Sequence, residues 1–464
     1  MEDNELKYFF NLGSKYRPEF FKRREYIFND FGKQMDLLIL KLAYKYSWPI
    51  EAFKEWKDSV FKLFKESYVQ CSNGCLNNNR FYNKKIKVKV EKIKKLFIIT
   101  TVDKADNNFA FICKAFYKKL LINEYTVNKT YECLDLHSKD IYSHISKITK
   151  VLKFNFNNFN FPYLFATVKF HKKPVKFRFV TCNTNCYNNQ ASKKFFWYLN
   201  KVLKVIIEEP KCKIIYNNRK VLEVVKNMGN CIKFIETFDF ENLFTSIPHN
   251  EIKNICETLF ENYAHLFDCN KSYWINLVEF CIFENILFNG SFYLRQIKGI
   301  PMGNTFSSAF ANLYLHYYEN KYIETSNNNF LAYRYIDDII VFNYEEFENK
   351  VKDIYPEILI LKKTSVHDNV NIFDLNIRVK EDGCLIGLYD KRMDFNFRVK
   401  SLADWRSCLC KKVFRNILVS QFNRIKNNCN NEEDFQKATK IFYEAAIDND
   451  YPVYFVNSIK KNFN

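Results

Sequence analysis

Three aspartates are spaced so that they could share one piece of chemistry. Asp239 closes the apolar, strand-like run that starts at Ile232, while Asp337 and Asp338 sit between two more such runs, Leu331 to Ile336 and Ile339 to Phe342. That is the pattern of a hairpin with carboxylates at its tip. Adjacent aspartates among strand residues are poor for stability, because like charges repel and Asp disfavours strands. A dication reverses that cost. Nucleotidyl transfer needs two cations about 3.5 to 4 Å apart, one to activate the attacking hydroxyl and one to neutralise the leaving pyrophosphate, both held by oxygen ligands. Asp239 and Asp337 on neighbouring strands would supply that clamp. The competing reading is a solvated acidic turn, since Asp is common in turns; the second strand-terminal aspartate and the large apolar flanks weigh against it.

Other segments must position these acids. After Asp239 the chain turns through Phe240 to Pro248 into a helix. In Gly299, Ile300, Pro301, Met302 and Gly303 the glycines permit close backbone approach, and Pro301 stiffens the loop before a helix from Ser307 to about Asn320. Upstream lies a basic stretch, Lys169, His171, Lys172, Lys173 and Lys176, then the strand Phe177 to Val180 with Arg178 inside it and a helix from about Gln190 to Glu208. Arg and Lys here can hold a polyphosphate, Arg by a bidentate fork.

Short strands are expected at Leu96 to Thr100 and Phe109 to Cys113. Residues 1 to about 80 read as helices, with apolar stripes at Leu37, Leu38, Ile39, Leu40, Leu42 and Ala43, and at Phe53, Trp56, Val60, Phe61 and Phe64. Lys85, Lys87 and Lys89 alternate with Ile86, Val88 and Val90, which predicts a strand or basic ribbon. Two C-terminal helices are expected at about Ser407 to Lys426 (Val413, Ile417, Phe422) and Glu432 to Ala446 (Phe435, Ala438, Ile441, Phe442). Their basic face (Lys411, Lys412, Arg415, Arg424) suits the phosphates of a duplex.

The bulk properties agree with a large folded protein of several lobes: 464 residues, 47% hydrophobic, with only 9 Gly and 9 Pro. A net charge of +19 favours a nucleic-acid partner over an acidic one. No run approaches the roughly 18 apolar residues that span a bilayer, and the first residues lack the features of a signal peptide, so no membrane partner and an intracellular location are expected. The 15 cysteines read as reduced and mostly buried. Cys71 with Cys75 and Cys182 with Cys186 could each begin a zinc site, but no nearby Cys or His pair completes either.

Asp239 to Pro248, Gly299 to Gly303 and Tyr335 to Asp338 resemble, in order and spacing, motifs A, B and C of reverse transcriptases. Within that family the resemblance points to Penelope-like elements, relatives of telomerase, through Phe10 to Ser14, Asp103 to Asp106, Lys169 to Lys172 with Phe177 to Val180, Ala311 to Leu313, Phe373 to Leu375, Leu388 to Arg392, Asp434 with Phe435, and Tyr451 with Pro452. It implies an α+β right-hand polymerase with a ferredoxin-like palm. The lobes would be a helical N-terminal region (1–90), fingers (91–215), palm (216–398) and helical thumb (399–464).

The resemblance makes Asp239, Asp337 and Asp338 catalytic. Asp239 and Asp337 would ligate two Mg²⁺ ions (Mn²⁺ as the alternative) with the Phe240 carbonyl as a third ligand, and Asp338 would stand beside them. Phe244 matches a steric gate against the ribose 2′ hydroxyl. Arg178 and Lys169 would bind the triphosphate, Met302 and Gly303 would face the nascent base pair, and Lys362 or Lys363 would be placed to protonate pyrophosphate. Many reverse transcriptases carry Gln where Met302 stands. The expected activity is RNA-directed DNA synthesis from an RNA template, a DNA primer and dNTPs, by a retrotransposon enzyme that is nuclear if the host is eukaryotic. The alternatives are a catalytically inactive nucleic-acid-binding protein of the same fold and an RNA-dependent RNA polymerase. No GIY-YIG endonuclease fits before Asn464, so priming from an existing 3′ end, or from a nick made by another agent, is expected.

Overall fold

The computed structural model describes residues 3–16, 24–46, 49–75, 84–127, 129–135, 137–154, 160–326 and 330–463. Four helices come first: α1 (Asn4–Asn11), α2 (Arg24–Tyr46), α3 (Lys54–Cys75) and α4 (Lys84–Leu96). The Asp3 carboxylate caps α1, accepting from the N–H groups of Glu5 and Leu6. The strand expected around Lys85 to Val90 is instead the first half of α4. Lysine is a good helix former, and Ile86, Val90 and Ile93 fall on one face of a 3.6-residue period, with Ile86 buried and Val88 left exposed. The apolar stripe of α2 is narrower than expected: Met35, Ile39 and Ala43 are buried, whereas Leu37, Leu38 and Leu40 face outward.

The first sheet, in the order β2-β1-β4-β5, is built from β1 (Phe97–Val102), β2 (Ala105–Cys113), β4 (Tyr163–Lys169) and β5 (Lys176–Cys182). Between its halves run α5 (Lys114–Thr126), β3 (Tyr131–Leu134) and α6 (Ser138–Val151). Then follow α7 (Asn189–Ile206), α8 (Arg219–Met228), β6 (Ile235–Phe240), the single turn α9 (Leu243–Ser246), α10 (His249–Asn262), α11 (Lys271–Val278), the ribbon β7 (Ile286–Phe288) and β8 (Tyr293–Gln296), and α12 (Ser307–Ser326). The hairpin β9 (Ala332–Tyr335) and β10 (Asp338–Phe342), helix α13 (Phe347–Ile354) and β11 (Leu361–His367) complete a central antiparallel sheet of order β11-β6-β10-β9. Beyond it lie a three-stranded sheet, β12 (Asn369–Ile372), β13 (Leu375–Lys380) and β14 (Gly383–Leu388), and the C-terminal helices α14 (Lys411–Asn428), α15 (Glu432–Ile447) and α16 (Val453–Lys460).

Strand alternation gives the central sheet two apolar faces. Phe238, Phe240, Ile339 and Val341 join a large core with α7 and α12. Ile235, Ile340 and Phe342 pack under Val370, Ile372, Leu375, Ile377 and Ile386 of the small sheet. Asp239 and Asp338 belong to this second face, where the alternation reaches the strand ends. The large core runs from Ile141 to Leu359 and so joins residues on both sides of position 215. In α14 the buried apolar positions are Phe414, Leu418, Phe422 and Ile425, while Val413, expected inside, is exposed. Cys186, Cys256 and Cys281 are buried, but Cys113, Cys133, Cys231 and Cys410 are exposed, two of them at the residue preceding a helix. The side chains of Cys71 and Cys75 lie outside what is described. No described helix is long and apolar enough to cross a membrane.

Candidate active site

The register of the central sheet sets Asp338 of β10 directly opposite Asp239 of β6, with Asp337 in the two-residue turn before it. Ile336, the other turn residue, has φ of 58°, a left-handed conformation rare for a β-branched side chain. The Phe240 N–H donates to the Asp337 carbonyl at 3.0 Å, so the acidic turn is tied to the strand that carries Asp239. Acids directly opposite one another destabilise a sheet. Burial, then the charges of Asp337 and Asp239, push the Asp338 carboxyl up to about 6; burial, then Asp337, raise that of Asp239. Lys104, Lys169 and Lys172 oppose this rise at Asp239, as do Lys391 and Lys104 at Asp338. Hard carboxylate oxygens with unneutralised charge are the donor chemistry of a magnesium site. Among the described residues no group of three His, Cys, Asp or Glu side chains is already gathered as a metal ligand set.

A buried network holds the hairpin from behind. Arg334 donates through Nε and Nη2 to the two carboxylate oxygens of Glu319 on α12, at 2.6 and 3.1 Å. It also reaches Asn312 Oδ1 (2.8 Å), the Asn312 carbonyl (3.1 Å) and the Ile336 carbonyl (3.1 Å). The Tyr355 hydroxyl donates to Glu319 at 2.8 Å. Both charged side chains are 1% exposed, so the turn that presents Asp337 is braced by a desolvated ion pair. Sequence reasoning passed over this brace, although an arginine inside the apolar run before the acids was the available signal.

The glycine loop is clamped on two sides. After Asn242, at φ of 52°, α9 carries Phe244, half-buried against the large core. The Phe244 carbonyl accepts from the Ile300 N–H at 2.7 Å, and the Ile247 carbonyl from Gly299 at 3.0 Å. Gly299, at φ of 74°, lies so close that a Cβ there would stand 2.5 Å from Thr245 Cα. Its carbonyl accepts from His249 Nε2 at 2.7 Å, and burial holds that imidazole below its usual pKa. On the other side the Thr181 N–H donates to the Met302 carbonyl at 2.7 Å, and a Cβ on Gly303 (φ of 109°) would stand 2.5 Å from the Thr181 carbonyl. Phe244, Met302, Gly303 and strand β5 are thereby brought together.

Arg178 on β5 is ion-paired with Asp103 at 2.8 Å. Lys169, half-buried on β4, has its pKa lowered by burial and then by Arg178. Of the two later lysines, Lys362 sits opposite Asp239 in the β11–β6 register and pairs with Glu241, while Lys363 pairs with Glu236 and Glu348.

The family profile described as reverse transcriptase (RNA-dependent DNA polymerase) matches residues 170–364, and that of an animal helix-turn-helix domain matches residues 402–461, the segment of α14 to α16. No curated protein matches the sequence. Among solved structures, telomerase from Candida albicans in complex with a TWJ fragment of telomeric RNA superposes with a TM-score of 0.56 at 12% identity, over 81% of this chain and 68% of that one. Apo telomerase from Candida tropicalis gives 0.48 at 11% identity, over 81% and 67%. At such identities the likeness concerns the fold. The chain has the right-hand polymerase fold, as in telomerase, and its residues 170–364 match the reverse transcriptase family profile.

Proposed function

We propose that this chain is an RNA-directed DNA polymerase of a Penelope-like retroelement, extending a primer 3′ end on an RNA template with dNTPs. The observation that carries the reading is the combination of three features: the Asp239–Asp338 cross-strand pair with Asp337 at its turn, the single turn carrying Phe244 five residues past Asp239, and the glycine loop clamped between that turn and β5. Asp239, Asp337 and Asp338, with the Phe240 carbonyl, would hold two Mg²⁺ ions. When bound, those ions supply charge neutralisation and a more acidic primer hydroxyl. The protein's own part is positioning. Arg178 and Lys169 draw the triphosphate toward the carboxylates, Phe244 fills the space a ribose 2′ hydroxyl needs, and Met302 and Gly303 face the nascent base pair from a loop that packs closely on β5. Lys362, on the face of Asp239, is the better placed of the two lysines to meet pyrophosphate.

Primer extension on poly(rA) and on a DNA template, with Mg²⁺ or Mn²⁺, tests the reading. Metal-dependent synthesis lost in Asp239→Ala and in Asp337→Ala is expected. Nucleic-acid binding without synthesis in the wild type would favour an inactive binding protein instead.

A further inference from the structure

The turn between β1 and β2 consists of two residues, Asp103 and Lys104, since Val102 pairs directly with Ala105. It is held in place from β4: the Asp103 N–H donates to the Val168 carbonyl at 2.9 Å, one step beyond the parallel pairing of Val102 with Val168. The Asp103 side chain is 8% exposed, and one oxygen accepts from Arg178 Nη1 at 2.8 Å. The other, Oδ2, is buried without a hydrogen-bond partner. Lys104, by contrast, is exposed and adopts φ of 62°, a conformation non-glycine residues rarely keep unless the surroundings impose it.

We propose that Lys104 is a further binding residue for the triphosphate of the incoming nucleotide, and that Asp103 is a positioning residue that aims the Arg178 guanidinium at the same group. This rests on the polymerase reading above. Three strands bring the cations together: Lys104 from the β1–β2 turn, Lys169 from the end of β4, and Arg178 from β5, whose Thr167 pairing partner lies two residues before Lys169. Asp103, set into this basic group, is committed to Arg178. A guanidinium pinned through one Nη atom keeps its remaining donors in a fixed direction, which lowers the entropy lost when it grips a phosphate. The field of Lys104 reaches the catalytic carboxylates, since it is among the charges that restrain the pKa of both Asp239 and Asp338. An ammonium there meets the negative charge of a triphosphate drawn to those acids.

The test uses the full chain and tripolyphosphate as probe, by calorimetric titration in EDTA, alongside steady-state extension. Lys104→Ala should weaken tripolyphosphate binding roughly tenfold and raise the KM for dNTP by a similar factor with a smaller change in kcat, whereas Lys104→Arg should restore both. Lys104→Gly separates charge from strain: glycine accepts the left-handed backbone, so the variant should be at least as stable as wild type and bind as poorly as Lys104→Ala. Asp103→Asn should raise the KM for dNTP while thermal unfolding shows the fold retained. Wild-type tripolyphosphate affinity in both Lys104→Ala and Lys104→Gly, or an unchanged KM in folded Asp103→Asn, overturns the corresponding assignment. Lys104-dependent binding in a protein that never extends a primer would sink the polymerase reading and leave the polyphosphate site standing.

Discussion

Replacing Glu319 by Gln should unbalance the brace behind the acidic turn without changing its shape. Glutamine offers one acceptor oxygen where Glu319 offers two. Its amide would face either Arg334 Nη2 or the Tyr355 hydroxyl, both of which now donate to the carboxylate. Arg334 would stay charged and 1% exposed without a counter-ion. Removing one member of such a pair costs about 3 to 5 kcal/mol, a large share of the 5 to 15 kcal/mol typical of a folded domain. Urea unfolding at neutral pH should show that loss as a lower midpoint with the slope preserved. The effect should depend on pH. Burial, the largest influence on Glu319, raises its pKa, yet the attraction and hydrogen bonds of Arg334 prevail and hold it below the usual value. A depressed carboxyl contributes stability above its unfolded pKa of about 4.3 and loses it as pH falls through the folded value. The gap between wild type and Glu319→Gln should therefore narrow below about pH 4. Because Arg334 also grips the Ile336 carbonyl, kcat should fall more than KM changes. A loss under about 1 kcal/mol at pH 7, or one that stays undiminished down to about pH 3, would refute the reasoning.

Phe244→Ala should open the space beside the ribose and admit ribonucleotides; unchanged discrimination against rNTPs in primer extension would remove the gate assignment. Gly303→Ala should abolish most synthesis and destabilise by about 1 to 3 kcal/mol, because its Cβ would press on the Thr181 carbonyl at a backbone angle alanine resists. Wild-type melting and extension in that variant would show that the loop yields. The Asp239→Ala and Asp337→Ala variants should keep the wild-type unfolding midpoint or exceed it while losing synthesis, since removing one of several mutually repelling acids relieves the sheet.

The acidic hairpin was legible because Asp is so unsuited to the middle of an apolar sheet that its presence there demands a reason. The glycine loop was legible for a similar cause, and both of its positive-φ glycines prove to lie against neighbouring backbone. Less was readable where two periods coincide. Lys84 to Leu96 satisfies an alternating pattern and a helical one, and which face is buried depends on α1, far away in sequence. Asp103 and Arg334 show the other limit. Each charge finds its partner across the fold, so Arg178 looked like a free phosphate ligand while it was anchored by a residue of the preceding hairpin. The exposed Val413 and Leu37 show that an apolar stripe fixes a helix face only to within a residue or two.

Asn107 on β2 is fully buried, and its amide joins distant stretches of chain. Its Oδ1 accepts from the Lys15 N–H at 2.8 Å, its Nδ2 donates to the Leu402 carbonyl at 2.8 Å, and Gly13 lies so close that a Cβ would collide with it. The first partner precedes Asn107 by 92 residues and the second follows by 295. On a ribosome adding about 5 to 20 residues per second, the second partner emerges roughly 15 to 60 seconds after the first contact can form. During that interval half of a core amide has only water or a chaperone to bind. The nascent chain thus carries an unfinished joint while the stretch between Asn107 and Leu402 is made, and the seat around Gly13 and Lys15 is sealed only when Leu402 arrives.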